Sequence, residues 1–183
     1  MFTPGAVEPV PPMVGTWTPG WGKIMTSLLT SGPSSGTWPA ANTGYWHPVS
    51  IPTTCVAKRM WWVNGATVSA TYNLEAGIYL DGGFKPGAKL ITTGSVAQGT
   101  LNVVQFADIT DTVLPPGLYW LWLSCSSTNA TVMRLASGDT GLTPIVVFQQ
   151  ASVGPGSAPT TATPAEATTT LLHAFGFSTT TIT

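Results

Sequence analysis

The chain has 183 residues, of which 7% are Asp, Glu, Lys or Arg, where a soluble domain ordinarily carries roughly 25%, and its net charge is −1. Six scattered basic residues, Lys23, Lys58, Arg59, Lys85, Lys89 and Arg134, cannot neutralise a run of phosphates, which excludes nucleic acid as the expected ligand. The length suits one domain with appendages, and the shortage of charge means that the surface is either Ser/Thr-rich or hidden against other subunits.

In chain order, residues 1–18 hold Pro4, Pro9, Pro11 and Pro12 without periodicity and read as an extended arm, with Phe2, Val10 and Trp17 among its apolar anchors. Thr18 suits a helix cap and Pro19 a first helical position, and Trp21, Ile24, Met25, Leu28 and Leu29 recur at helical spacing until Gly32-Pro33. This predicts one short amphipathic helix of about three turns, marginal alone, whose apolar side packs on another subunit or on the chain's own sandwich. The first 35 residues thus form an attachment segment, and the expected partner interface comprises Phe2, Val10, Trp17, Trp21, Ile24 and Leu28, together with Phe175 and Phe177 near the other end. The amino terminus lacks the basic and apolar regions of a signal peptide, and no stretch approaches about 18 uninterrupted apolar residues, so the expectation is cytosolic synthesis and no membrane span.

From residue 36 to 150 the pattern is that of strands. Gly44 to Ser50 reads as an edge strand because Pro48 removes a ladder donor, and Thr54 to Val63 as a longer strand closed by Asn64-Gly65, which fits a type I′ hairpin turn. The return strand alternates cleanly: Val68, Ala70, Tyr72, Leu74, Ala76, Ile78 and Leu80 face a core, and Ser69, Thr71, Asn73, Glu75 and Asp81 face water. Asp81-Gly82-Gly83 turns the chain, and Lys89 to Thr93 and Leu101 to Ala107 are two further strands. After the Pro115-Pro116-Gly117 turn comes the strand around which the rest is organised: Leu118 to Leu123 is apolar on both faces, so it must be covered on both, inside a sandwich or at a subunit contact. Ala130 to Leu135 and Pro144 to Gln149 complete about eight strands, the spacing of an antiparallel β-sandwich. Residues 151–167 switch to Ser, Thr, Pro, Ala and Gly and read as exposed linker, and residues 168–183 regain Leu171, Leu172, Phe175 and Phe177 as a C-terminal strand of this sheet or a neighbour's.

The sequence carries little chemistry. His47 and His173 lie in no metal-ligand or nucleophile spacing, and His47, before a proline on an edge strand, reads as a surface residue. Asp108 and Asp111 suit turn chemistry better than an acid–base pair or a Ca²⁺ site. Cys55 and Cys125 are either a disulfide across the sandwich or two buried thiols, the latter favoured in a cytosolic product. Asn129-Ala130-Thr131 matches a glycosylation acceptor but reads as a turn between strands. Trp46, Trp61 and Trp62 either stack on sugar rings or, as favoured here, fill the core or a subunit contact. No catalytic, cofactor or metal residues are assigned.

The ordered series Trp38-Pro-Ala-Ala-Asn42, Tyr45 to Pro48, Val63-Asn-Gly-Ala-Thr67, Gly77-Ile-Tyr79, Leu90 through Ser95, and Leu114-Pro-Pro-Gly-Leu-Tyr-Trp120 resembles a β-sandwich module common among structural proteins of tailed bacteriophages. The resemblance covers about residues 36–135. It implies a jelly-roll-like fold on a virion, with no catalytic residues to carry over. The expectation is therefore an all-β protein, a jelly-roll-like antiparallel sandwich with an N-terminal arm and helix. It assembles with copies of itself, as a homotrimer, on a major capsid or tail structural protein. Capsid decoration, or cement, ranks above a tail or fibre adhesin that binds host saccharide, and a secreted carbohydrate-active domain ranks last.

Overall fold

The computed structural model describes residues 21–23, 34–135, 147–167 and 172–179, and over them the protein is all-β. In chain order the strands are β1 (Trp21–Lys23), β2 (Ser34–Thr37), β3 (Thr43–Ile51), β4 (Cys55–Val63), β5 (Asn73–Asp81), β6 (Pro86–Thr92), β7 (Val96–Ala97), β8 (Val104–Leu114), β9 (Gly117–Cys125), β10 (Thr131–Leu135), β11 (Phe148–Gln150), β12 (Ala165–Glu166), β13 (Leu172–His173) and β14 (Phe175–Ser178). One sheet runs β12-β11-β3-β9-β5-β6, with β7 also on β5, and opposite it lie β1-β14-β4-β8 and β13-β10-β2. The latter two meet at the break between β13 and β14, where Ala174 N–H donates to Met133 O and Ala174 O accepts from Val63 N–H.

Two long antiparallel pairs set the topology. β3 pairs with β9 in one sheet and β4 with β8 in the other, and the corners coincide, Ile51 opposite Gly117 and Cys55 opposite Leu114. The β3–β4 and β8–β9 connections therefore cross from one sheet to the other at the same end, the wrap of a jelly roll. Prolines occupy both corners, Pro52 on one and Pro115-Pro116 on the other, where a residue without an N–H leaves no ladder donor unpaired.

Between the sheets, Leu121, Leu123 and Cys125 of β9 meet Leu74, Ala76 and Ile78 of β5, Met60 and Trp62 of β4, and Phe175 and Phe177 of β14, all buried. The opposite face of β9 carries Trp120 and Trp122, which join Trp46, Tyr79, Phe148, Val153 and Ala162 in a second cluster. That second cover accounts for the two-sided hydrophobicity of β9 within one chain. Trp122 lies so close over Gly44 that a Cβ there would stand 2.0 Å from its Nε1, which is why β3 carries glycine at that position.

The cover comes from the segment read as exposed linker. Residues 151–167 run as a strap over the outer face of the β3-β9-β5 sheet: Tyr79 Oη donates to Pro159 O at 2.9 Å, Lys89 Nζ to Ala158 O at 3.0 Å, and Gly156 N–H to a Glu75 carboxylate oxygen at 2.6 Å. The wet face expected on β5 is wet only in part, since Glu75 is 2% exposed and Tyr79 is fully buried beneath the strap. Composition misled here because Pro, Ser and Thr do not form a core alone, yet their backbone can hydrogen-bond across a core built by another segment.

Three further expectations are corrected. Asn64-Gly65 does not join neighbouring strands, because β4 pairs with β8 and β14 while β5 pairs with β9, β6 and β7 in the other sheet. Asn64 is instead a buried hub. It accepts from Trp62 Nε1 at 3.1 Å and Gln98 Nε2 at 3.3 Å, and donates to Thr100 O and Gln105 Oε1, both at 2.9 Å. Trp21–Lys23 is strand, paired with Ser178, Phe177 and Gly176, where a helix was predicted; the rest of that helix and the arm lie outside the described residues. β3 is an edge only beyond Trp46, where its pairing with β11 stops, and Pro48 falls on that uncovered part.

Candidate functional site

Of the residues expected to contact a partner, Phe2, Val10, Trp17, Ile24 and Leu28 lie outside the described residues. Trp21 is placed by its backbone alone, opposite Ser178. Phe175 and Phe177 are corrected: they are 1% and 0% exposed and fill this chain's own core. The reason is the position of β14 between β1 and β4, where alternate residues turn inward and the Trp61 indole, opposite Gly176, donates to Phe177 O at 3.2 Å.

Both histidines are buried rather than superficial, and they meet. His47 on β3 and His173 on β13 bring Nε2 and Nδ1 to 3.4 Å. The His173 ring stacks on Trp38 with centroids 4.6 Å apart and touches Tyr45, while His47 stands edge-on to Phe175 at 5.1 Å. One ring N–H donates to the other ring's lone pair, and whichever tautomer holds, His47 Nδ1 and His173 Nε2 have no partner. Burial pushes His47 down to about 3; burial, the neighbouring His47 and the Arg134 guanidinium push His173 well below the usual histidine range. Both are therefore neutral at physiological pH.

The acidic candidates are structural. Asp108 and Asp111 sit within β8, not at a turn, and face the basic pair of the neighbouring strand: Arg59 Nε donates to Asp108 Oδ1, and Lys58 Nζ lies 3.4 Å from Asp111 Oδ2. Cys55 and Cys125 are unpaired thiols. They lie near opposite ends of β9, Cys55 beside Tyr119 and Cys125 six residues further along, about 20 Å at roughly 3.3 Å per residue. Burial raises both thiols, Cys125 to about 11. Trp46, Trp61 and Trp62 are all buried, so none presents a ring face to a sugar here. Among the described residues no cluster of three or more His, Cys, Asp or Glu is placed to hold a metal ion, and no helix is long and apolar enough to cross a membrane.

What the surface does present is apolar. Phe84 is 85% exposed at the β5–β6 hairpin tip and has φ of 60°, a backbone conformation that costs a bulky residue energy and marks the position as unusual. The tip is held from below: Asp81 accepts from Gly83 N–H and Phe84 N–H on one carboxylate oxygen, and from Trp120 Nε1 at 2.9 Å on the other. Leu80 is exposed on the same hairpin and Val113 at the same end of the strands. Leu101, Val103 and Val104 are exposed at the opposite end, nine residues along β8 from Val113 or about 30 Å. Sequence reading saw only the Asp81-Gly82-Gly83 turn. The available signal was a phenylalanine placed in the turn itself, outside any strand alternation, where burial has no means of hiding it.

Comparison with protein-family models, with curated proteins and with solved structures yields no match to this chain.

Proposed function

We propose that this chain is a non-enzymatic structural protein of a bacteriophage virion, acting by permanent contact with copies of itself and with a larger structural subunit, and within that class a capsid decoration or cement protein. The observation that carries the reading is the exposed apolar set, Phe84 with Leu80 and Val113 at one end and Leu101, Val103 and Val104 at the other, on a chain only 7% charged. Such a surface gains by being covered. Two unlike patches at opposite ends favour a head-to-tail contact between copies, which closes into a ring such as a trimer when the rotation between copies closes. Around this core, the anchors Phe2, Val10, Trp17, Ile24 and Leu28 of the N-terminal segment fit a groove between subunits of a capsid or tail, with proline stiffness lowering the ordering cost. The resemblance of residues 36–135 to a tailed-phage module supports the particle.

The test is the copy number of the chain in purified particles, measured by quantitative mass spectrometry against the major capsid protein. Hundreds per particle are expected of a decoration protein. A few to a few dozen would move it to the tail, and absence from particles would sink the proposal.

A further inference from the structure

The chain contains two histidines, 126 positions apart, and the fold spends both on one buried contact between β3 and β13. We propose that His47 and His173 form an acid-operated latch on β13 and β14: neutral, the two rings pack and share one hydrogen bond, and on protonation the segment from Leu172 to Ser178 leaves the sandwich and uncovers β4 and β10.

The geometry carries this. The neutral pair needs one proton between the rings and leaves one ring nitrogen of each residue without a partner, among Trp38, Tyr45 and Phe175. A first added proton makes a cation in that apolar box and gives both outward nitrogens an N–H with nothing to accept it. A second sets two cations 3.4 Å apart. The groups that face the pair offer no relief: Arg134 on β10, in register with His173, is itself a cation, Tyr45 on β3 is a neutral phenol, and Leu121 of β9 and Phe175 of β14 are apolar. The segment carrying His173 is held by short ladders. β13 pairs with β10 over two residues, and β14 with β4 over four and with β1 over three, so among the described strands only β1, which has no other partner there, is released with it. What it exposes is apolar, Phe175 and Phe177 together with Met60 and Trp62 beneath them.

The sign follows from linkage. Both imidazoles have folded values below the ordinary 6.5 of the released chain, so the latch is fully closed above that pH and weakens as pH falls, each ring contributing up to tenfold per pH unit. His47 gives about thirtyfold by pH 5, above the range where ordinary carboxylates titrate, and His173 adds to it in the same direction.

The experiment is amide hydrogen exchange on the full chain between pH 7.5 and 5, corrected for intrinsic rates, with NMR titration of the two imidazoles. The expected result is that amides of residues 172–178 and their partners in β4 and β10 lose protection by at least that factor while β5 and β9 keep theirs, and that neither ring titrates above about pH 5 in the closed state. The double variant His47→Leu, His173→Phe should abolish the pH dependence over this range. Protection of 172–178 that does not change with pH, a loss shared equally by β9, or a ring titrating near 6.5 would each overturn the latch; the wild-type measurements decide it even if the double variant does not fold.

Discussion

Asn64→Asp separates two roles that the same dipeptide allows. In a type I′ hairpin Asp-Gly serves as well as Asn-Gly, and the substitution would be close to neutral. In the observed fold Asn64 is fully buried and its amide nitrogen donates two bonds, to Thr100 O and to Gln105 Oε1. A carboxylate keeps the bonds from Trp62 and Gln98 but turns an acceptor toward two acceptors. Gln105 Oε1 retains the Gly99 N–H at 2.8 Å, so the orphaned group is chiefly Thr100 O. Two lost bonds at about 1 kcal/mol each sum to about 2 kcal/mol, and the desolvation of the buried charge adds to that. Set against a domain stability of about 5–15 kcal/mol, that is a large fraction. Guanidinium unfolding followed by tryptophan fluorescence should show the midpoint falling with an unchanged slope. Burial raises the introduced carboxyl above its ordinary range, so the loss should shrink as pH falls, because the protonated form donates one of the two bonds. A loss below about 1 kcal/mol at pH 7 would refute the hub and restore the turn.

Trp120→Ala removes the ring that packs edge-on to Phe148 at 5.2 Å and the donor that fixes Asp81; thermal or chemical unfolding should register a loss of about 3–5 kcal/mol, and an unchanged melting temperature would mean that the outer cluster is misplaced. Thiol titration without reductant should find two thiols in denaturant and slow alkylation of Cys125 in the native protein, since burial holds it up at about 11; no thiol in denaturant would signal a disulfide. Phe84→Ser should leave stability within about 0.5 kcal/mol, the ring being exposed, while weakening self-association of the 19.0 kDa chain in light scattering; a wild type that stays monomeric at micromolar concentration counts against the contact altogether.

The architecture was legible wherever a residue's neighbours in sequence decide its face. On β5, Leu74, Ala76 and Ile78 are fully buried as the pattern requires, whereas Leu80, expected on the same face, is exposed and Glu75, expected in water, is buried. β9, apolar on both sides, had to be central, and it lies between β3 and β5. The failures share one cause, which is that long-range partners are not written locally. Nothing around His47 announces His173, Asn64-Gly65 has the same letters in a turn or a hub, and Asp108 looks like a turn residue until Arg59 arrives from another strand. Trp21 lies in a run with helical spacing but takes strand geometry where β14 offers a ladder. At Trp21–Lys23 alone, ladder pairing prevails over helical spacing.

The strap changes what the composition means. A strand as apolar as Leu118–Leu123 left two covers open, the inside of a sandwich or a second subunit, and the second would have made the centre of the sheet the site of assembly. Because Val153 and Ala162 of the same chain cover Trp46, Trp120 and Trp122, that face is satisfied internally, and the missing charge has to be explained elsewhere. Apart from Leu90 on β6, what remains exposed and apolar lies at the two ends of the strands and on a hairpin tip that Asp81 clamps in a strained backbone conformation. Preorganised anchors of this kind lose little entropy when they dock, and so they favour contacts that are formed once and kept over encounters that are repeatedly broken. A partner should therefore engage the ends of the sandwich rather than its faces, and substitutions there should alter assembly while leaving the fold unchanged.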